Sequence, residues 1–309
     1  MKCRLAFLST LTAFSVAAFA QSSSVSTATT TTNENRTSLS DLTANKKFEE
    51  NNDITDAKIK ADAGSLSRYS LKFNLSYYGP TLGELDAKDQ PNPDGGVGTY
   101  DTSLGGSLGG RLRLDRQTTI SFGTGLKIIH PLHGAERTDL NNPYASYDLT
   151  TKLGGVQMRN SWGVSYITIP NYTAVGEYGG LSYDLSLNYD LGASGFAISF
   201  DSSVGYYLYK REYIASDKKA SRSSLSFYPG LKYNFTDKLN VNTSTSISYL
   251  NLRSTSNELQ MINRTVSQRL GLGYAYTRDV YVAPYLNMYP DHLAWDTTTI
   301  NISTSFSVL

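Results

Sequence analysis

Eleven charged residues recur at alternate positions within segments that otherwise alternate between apolar and small polar residues. Because alternate residues of a β-strand point to the same face, these charges are expected to share a face with Ser, Gly, Asn and Thr. Eight are cations and three are carboxylates, an excess of five positive charges. A confined aqueous path lined in this way favours anionic solutes. The set comprises Lys72, Arg111, Arg113, Lys127, Asp148, Lys152, Arg159, Asp184, Asp201, Lys232 and Arg269.

Each of these cations could instead pair with a carboxylate and simply satisfy a polar interior. Three carboxylates cannot pair eight cations, so the excess supports solute guidance better than any single residue does. Arg111 and Arg113 lie two residues apart on one predicted strand, and Lys127 lies on the next. Their spacing predicts a basic stripe along one wall.

The chain offers few groups for catalysis. Its three histidines are His130, His133 and His292, and none stands in a recognisable pattern with a serine. A nucleophilic serine needs a histidine within hydrogen-bond reach and a polar group behind that histidine. A metal site on His130 and His133 would need distant partners. We therefore predict no catalytic residue, no cofactor and no metal site, and a protein that is not an enzyme.

The first long loop is acidic. Its only lysine is Lys88, and it lacks the ligand spacing of a calcium-binding loop. A solvated acidic loop is therefore predicted, with cation binding near lipopolysaccharide phosphates as the alternative. The acidic residues are Glu84, Asp86, Asp89, Asp94 and Asp101.

The elements that must position the charged set are β-strands. From Tyr69 onward, apolar and polar residues alternate with period two, as in the segment 69–77. Tyrosines tend to stand at the ends of the apolar faces, with aliphatic residues between them. Twelve such segments follow one another, each of roughly 9–13 residues, which is the length that spans a bilayer at a tilt.

The connections between these segments alternate in length. Five short connections are predicted at 115–117, 154–155, 190–194, 236–238 and 277–279. Six longer ones are predicted at 79–101, 130–142, 169–179, 210–222, 251–262 and 289–296. Short turns on one side and longer loops on the other are typical of up-and-down membrane barrels, and an even strand number puts both termini on the short-turn side.

The N-terminal region has two predicted parts. Residues 1–20 combine Lys2 and Arg4 with an apolar run and an Ala18-Phe19-Ala20 cleavage pattern, which indicates a cleaved signal peptide. Residues 21–66 form a polar, mostly disordered periplasmic leader. Within it, Asp53 is expected to cap a short helix over 54–63 that stops at Gly64. This helix either stays mobile in the periplasm or enters the barrel and plugs it.

The composition excludes several classes of protein. The 28 Lys and Arg residues nearly balance the 27 Asp and Glu residues, whereas nucleic-acid binders usually show a basic excess. Mean hydropathy is −0.32. Beyond residue 20 no apolar run approaches about 18 residues, which excludes a helical membrane protein. The only cysteine is Cys3, so disulfides cannot stabilise the chain.

Strand pattern, turn alternation and tyrosine placement over residues 69–309 together resemble Gram-negative outer-membrane β-barrels, in the twelve-stranded, porin-like size class. The barrel domain itself is predicted over residues 67–309. The resemblance implies an all-β fold, a closed antiparallel up-and-down transmembrane β-barrel. The chain departs from the pattern at its end, where Leu309 replaces the usual terminal aromatic residue. A secreted β-sandwich is the rival fold. Its strands would be shorter and less even.

This resemblance implies a channel in the bacterial outer membrane for passive passage of small hydrophilic solutes. The excess of cations in the predicted lumen favours anionic ones. The alternatives are a non-conducting structural, adhesive or receptor barrel and a lipid-modifying enzyme. The implied partners are outer-membrane lipids and lipopolysaccharide, small hydrophilic solutes, envelope chaperones and the barrel assembly machinery. No nucleic acid is expected.

Overall fold

A computed structural model describes residues 47–92, 98–211, 220–253 and 260–308. The predicted signal peptide, most of the predicted leader and Asp94 lie outside these residues. The described parts belong to one compact unit, Asn45–Leu309. Among them, no helix has the length and hydrophobicity needed to cross a bilayer.

Within the described residues, twelve strands form a closed antiparallel barrel, which confirms the predicted fold class and strand number. The barrel strands are β1 (Tyr69–Thr81), β4 (Ser103–Arg113), β5 (Thr118–Ile129), β6 (Arg137–Leu153), β7 (Val156–Tyr166), β8 (Glu177–Asp190), β9 (Phe196–Tyr209), β10 (Ser221–Asn234), β11 (Leu239–Leu252), β13 (Ser267–Thr277), β14 (Val280–Met288) and β15 (Thr299–Val308). The smaller elements are α1 (Ala57–Ala63), α2 (Pro170–Thr173), a 3₁₀ turn (Gly192–Ser194), β2 (Asp89–Pro91), β3 (Thr99–Asp101) and β12 (Ile262–Asn263).

Each barrel strand pairs with its neighbour in the chain, and the first strand pairs with the last. At the closing seam Phe73 of β1 lies opposite Phe306 of β15, and their rings stack with centroids 4.7 Å apart. Closure leaves no strand edge exposed, so the backbone polar groups of the strands are satisfied within the barrel.

The two faces of the barrel wall differ as the alternation predicts. Large apolar side chains such as Leu71, Phe122 and Leu181 are exposed on the outer face, while Ser70, Lys72 and Arg111 are buried on the inner face. Tyr, Phe and Leu on the outside and polar residues on the inside form the arrangement a membrane-spanning barrel requires.

Polar residues on the outer face bond to their neighbours. Asn160 is buried, and its Oδ1 accepts a hydrogen bond from the hydroxyl of Tyr183 at 2.7 Å. The amide of Gln268 bonds to the hydroxyls of Thr243 and Thr245, each at 2.6 Å. These bonds lower the cost of placing amides toward lipid.

The connection lengths alternate as predicted, and the extramembrane parts show two differences. β6 begins at Arg137, inside the predicted second loop, because β5 and β6 continue their ladder beyond a register shift at Gly123/Gly125. The first loop contains a small hairpin in which Asp89 of β2 lies opposite Asp101 of β3. Both extensions are stabilised by backbone pairing, which the polar composition of these segments does not reveal.

Candidate functional site in the barrel lumen

Residues 47–66, here called the plug segment, enter the barrel at the end that carries the short turns. The segment doubles back on itself, with the N–H of Phe48 donating to the carbonyl of Leu66 at 2.9 Å. α1 begins after Asp56, whose side chain accepts a hydrogen bond from the N–H of Ile59 at 2.9 Å. The capping residue is thus Asp56 rather than Asp53, and the helix starts three residues later than the sequence predicts.

α1 lies inside the lumen. It packs against β6, β13, β14 and β15, and the plug segment also bonds to side chains of β1, β4, β7, β9 and β10. These strands surround the barrel axis, and only a segment within the closed barrel contacts all of them. Ala61, on α1, packs on Ala275 and Tyr281 in a small apolar cluster.

Two ion pairs of opposite polarity hold α1 to the wall. The ammonium of Lys58 lies 2.9 Å from the carboxylate of Asp201 on β9. The carboxylate of Asp56 pairs with the ammonium of Lys232 on β10, and both side chains are more than nine-tenths buried. In these two pairs, wall and plug segment each supply one charge of each sign, so the charges specify a single docked position.

The amide of Gln157, on β7, completes the anchoring of the helix N-terminus. Its oxygen accepts hydrogen bonds from the N–H groups of Thr55 and Asp56, both at 2.7 Å. Its nitrogen donates to the Thr55 hydroxyl at 2.7 Å and to Asp190 at 2.8 Å. Gln157 is fully buried, and all its polar atoms are satisfied by these contacts.

Cations of the wall bind the carbonyls at the other end of α1. Arg113 donates to the carbonyls of Ala63 and Ser65 at 2.7 and 2.9 Å. Arg278 donates to the carbonyl of Gly64 at 2.7 Å, and Lys72 donates to that of Asp62 at 2.9 Å. Carbonyls at a helix C-terminus have no partner within the helix, and these side chains supply one.

Gly64 ends α1 with φ of 64°, a left-handed conformation that favours glycine. A Cβ added there would collide with the guanidinium of Arg111. The chain therefore turns out of the helix at a point where no side chain fits.

Charged residues of the barrel wall shift the pKa values of Asp56 and Lys58 in the plug segment. Burial raises the pKa of the Asp56 carboxyl, but Lys232 and the Ile59 N–H stabilise its ionised form, and together they hold the pKa below its usual range. The carboxylate of Asp201 raises the pKa of Lys58, against the opposing effect of burial. Both plug residues are therefore charged at neutral pH.

The predicted pore-lining set divides into groups with different surroundings. Four of its members, Lys72, Arg113, Asp201 and Lys232, form hydrogen bonds or ion pairs with the plug segment. Arg159 and Asp148 pair with each other at 2.5 Å. Arg111 is 3% exposed and donates to Thr119 at 3.0 Å. Asp184 lines a small cavity together with Lys72 and Arg159. Lys127 and Arg269 line a larger, outer cavity. Lys152 is exposed near the short-turn end of β6.

The predicted basic stripe is interrupted. Arg111 and Arg113 are almost fully buried at the plugged end, whereas Lys127 lies at the outer cavity. The alternation of residues places all three on the inner side, but it carries no information about a segment that fills the lumen.

Besides the small cavity beside Asp184, the lumen above the plug segment contains two adjoining cavities. The outer cavity has a volume of about 680 Å³ and is lined by hydroxyl, amide and tyrosine groups together with Lys127, Arg264 and Arg269. The inner cavity has a volume of about 310 Å³ and is bounded by Asp56, Lys58 and Asp62 of the plug segment. Tyr228, Arg269 and Tyr285 line both cavities, so they stand at the boundary between them.

Arg269 is held between two aromatic rings at this boundary. Its guanidinium carbon lies 5.4 Å from the ring centroids of both Tyr228 and Tyr285, within cation–π range. Its Nε is buried and has no hydrogen-bond partner among the described residues. The two rings limit the movement of the guanidinium, so Arg269 holds a positive charge at a fixed position beside both cavities.

Several residues of this site are absent from the predicted set, among them Asp56, Lys58, Gln157, Tyr228 and Tyr285. Asp56, the capping residue, and Lys58 lie two residues apart in the plug segment. This pattern indicates charged contacts only for a segment that docks inside the barrel. Gln157, Tyr228 and Tyr285 lie on the inner face by the same alternation, but they lack the charge on which the predicted pore-lining set rests.

No protein-family profile matches the chain, and no curated protein matches it in sequence. Solved structures match it in fold. They include an outer membrane channel from Pseudomonas putida F1, which is 9% identical, with a TM-score of 0.46 over 80% of this chain and 98% of that one. The NanC porin is 8% identical, with a TM-score of 0.44 over 77% of this chain and 100% of that one. The KdgM porin in complex with disordered oligogalacturonate is 6% identical, with a TM-score of 0.42 over 77% of this chain and 99% of that one.

Proposed function

We propose that this protein is an outer-membrane channel for small hydrophilic solutes, that it favours anionic ones, and that the plug segment closes its inner end. The observation that carries the proposal is the pair of adjoining cavities that share Tyr228, Arg269 and Tyr285. They form a polar route from the outer mouth down to α1.

The preference for anions rests on the charges that remain above the plug. Lys127, Arg264 and Arg269 line the outer cavity, against the single carboxylate Asp101 among the described lining residues. A solute confined in the lumen stays within a Debye length of the wall, which is about 10 Å at 0.1 M salt. Tyrosine rings beside Arg269 add apolar faces against which the carbon skeleton of an organic anion can pack.

The plug segment limits passage because it lies in the inner end of the lumen. Its contacts with the wall are mainly polar. Ion pairs and hydrogen bonds to the wall can be replaced by bonds to water, whereas a large apolar interface has no such replacement. We therefore expect the plug segment to interconvert between docked and undocked states. A solute that reaches the inner cavity meets Asp56, Lys58 and Asp62. Passage then requires the plug segment to move aside.

Single-channel recording in a planar bilayer tests this proposal. The wild type should show rare, brief openings. A variant with Asp56→Ala and Lys58→Ala should stay open longer, because the ion pairs to Lys232 and Asp201 are lost. Asp53→Asn is the matched control, since Asp53 is exposed and belongs to neither ion pair.

A second function has one observation in its favour. Because the plug segment bonds to strands on all sides of the barrel, a non-conducting structural or receptor barrel is the alternative. Silence of both the wild type and the double variant in the bilayer would favour it. Steady, identical conductance in both would show instead that the plug segment does not close the path. Lipid release by the purified protein would indicate an enzyme.

A further inference from the structure

Three side chains with metal-ligand chemistry converge over the outer mouth of the barrel. Asp89 and Asp101 lie opposite each other in the β2–β3 hairpin, and His130 follows the end of β5. One carboxylate oxygen from each aspartate and one imidazole nitrogen lie within 4.8 Å of one another. Both aspartates are exposed, whereas His130 is buried.

The imidazole of His130 is oriented as a ligand would be. His130 is only 6% exposed, and both of its ring nitrogens are buried without a hydrogen-bond partner among the described residues. Nε2 faces Asp101, with 3.6 Å between Nε2 and Oδ1. The other ring nitrogen, Nδ1, lies 3.0 Å from a carboxylate oxygen of Glu136.

This arrangement matches the surroundings of metal-binding histidines. Such a histidine presents one nitrogen to the metal, while the other faces a carboxylate that fixes the orientation of the ring. The main chain also positions the residue, because the N–H of His130 donates to the carbonyl of Thr102 at 2.9 Å. A buried ring nitrogen that faces two carboxylates and lacks a partner is costly unless a cation or a proton lies between them.

We propose that Asp89, Asp101 and His130 bind a divalent transition-metal ion, with Zn²⁺ the best match. An imidazole ligand suits zinc, copper, nickel or iron better than calcium or magnesium, which prefer oxygen ligands alone. Three protein ligands with water in the remaining position are common for zinc. Because both aspartates are exposed, their side chains are free to move toward the metal.

The bound ion has a consequence for the mouth of the barrel. Asp101 lines the outer cavity together with Gln90, Thr99 and Tyr100 of the same hairpin. A metal shared between the hairpin and His130 ties the hairpin to the end of β5. It also cancels the negative charge of Asp101 beside the route of entry.

Calorimetric titration of the full-length mature protein in detergent tests the site. After treatment with a chelator, Zn²⁺ should bind at one ion per chain, and Ca²⁺ should bind at least tenfold more weakly. His130→Gln and Asp101→Asn should each lower the Zn²⁺ affinity at least tenfold. Glu136→Gln should lower it by roughly 10–100-fold, the range seen when the carboxylate behind a metal-bound histidine is removed.

Two matched variants serve as controls. His292→Gln removes an exposed histidine and Asp86→Asn removes a carboxylate of the same loop, and neither residue belongs to the cluster. Both should keep wild-type affinity. Unchanged mobility of every variant in unboiled detergent gels shows that the barrel is folded.

Cobalt provides an independent signal. Co²⁺ bound to the wild type and to both controls should give visible absorption bands that are absent in His130→Gln. The proposal is overturned if folded His130→Gln binds Zn²⁺ like the wild type, if His292→Gln loses as much affinity, or if the wild type shows no saturable Zn²⁺ binding. None of these measurements depends on conductance, so the metal site and the channel proposal stand or fall separately.

Discussion

Lys58 of the plug segment and Asp201 of the barrel wall form an ion pair of 2.9 Å, in which the plug segment supplies the cation. Two residues earlier, the pair between Asp56 and Lys232 has the opposite polarity. Alternating polarity makes the docked position specific, because a shift of the helix by two residues would bring like charges together.

Reversal of the first pair tests this relationship. Lys58→Asp or Asp201→Lys alone places like charges together and should lengthen channel openings, whereas the double reversal should restore short openings. Because these side chains are 45% and 33% exposed, the pair is worth about 0.2–1 kcal/mol. Open-to-closed ratios should therefore change by up to roughly fivefold. Failure of the double reversal to restore closure would contradict a direct contact.

The plug segment should be insensitive to pH across the neutral range. The lowered pKa of Asp56 means that its contribution is complete above the ordinary aspartate value, about 3.9, and is lost only as pH falls through the lower folded-state value. The raised pKa of Lys58 means that its contribution is complete below the ordinary lysine value, about 10.4, and is lost as pH rises through the higher folded-state value. Open probability should stay constant from about pH 5 to about pH 9. A steep change near neutrality would mean that other groups control docking.

Anion preference should depend on the outer cavity rather than on the plugged end. In the variant with Asp56→Ala and Lys58→Ala, further substitution of Lys127→Gln and Arg269→Gln should shift the reversal potential toward cations. The shift should be largest at low salt, where charges are least screened. Lys152→Gln is the control, because Lys152 is exposed near the short-turn end and is not among the residues that line either of the two cavities. An equal shift in the control would exclude a selectivity role for the outer cavity.

The register of the wall can be tested by assembly. Leu185 alternates with Ser186, and Ser186 lines the inner cavity. Leu185→Arg should impair formation of the compact, heat-modifiable band in detergent gels more than Ser186→Arg does. An arginine facing the middle of the bilayer costs roughly 2–4 kcal/mol, whereas one facing the lumen meets water. The reverse order would mean that the two faces have been exchanged.

The amino-acid sequence by itself determined the barrel. Residues such as Tyr69, Leu71 and Phe73 recur at every second position, and a strand has a period of two, so the lipid face could be assigned residue by residue. The number of alternating segments gave the strand number, and this even number together with the alternating turn lengths indicated the side on which the termini lie. These features are local, and each is encoded in a few consecutive residues.

The filling of the lumen was decided only by the tertiary structure. Asp56 and Lys232 are 176 residues apart, and nothing in the neighbourhood of either residue indicates the other. Ile54 and Ile59 are too few to make the plug segment recognisable as buried, because its docking depends mainly on polar bonds that form once the barrel has closed. The same applies to Asp89, Asp101 and His130, which belong to two loops and meet only because β1, β4 and β5 are neighbours in the wall.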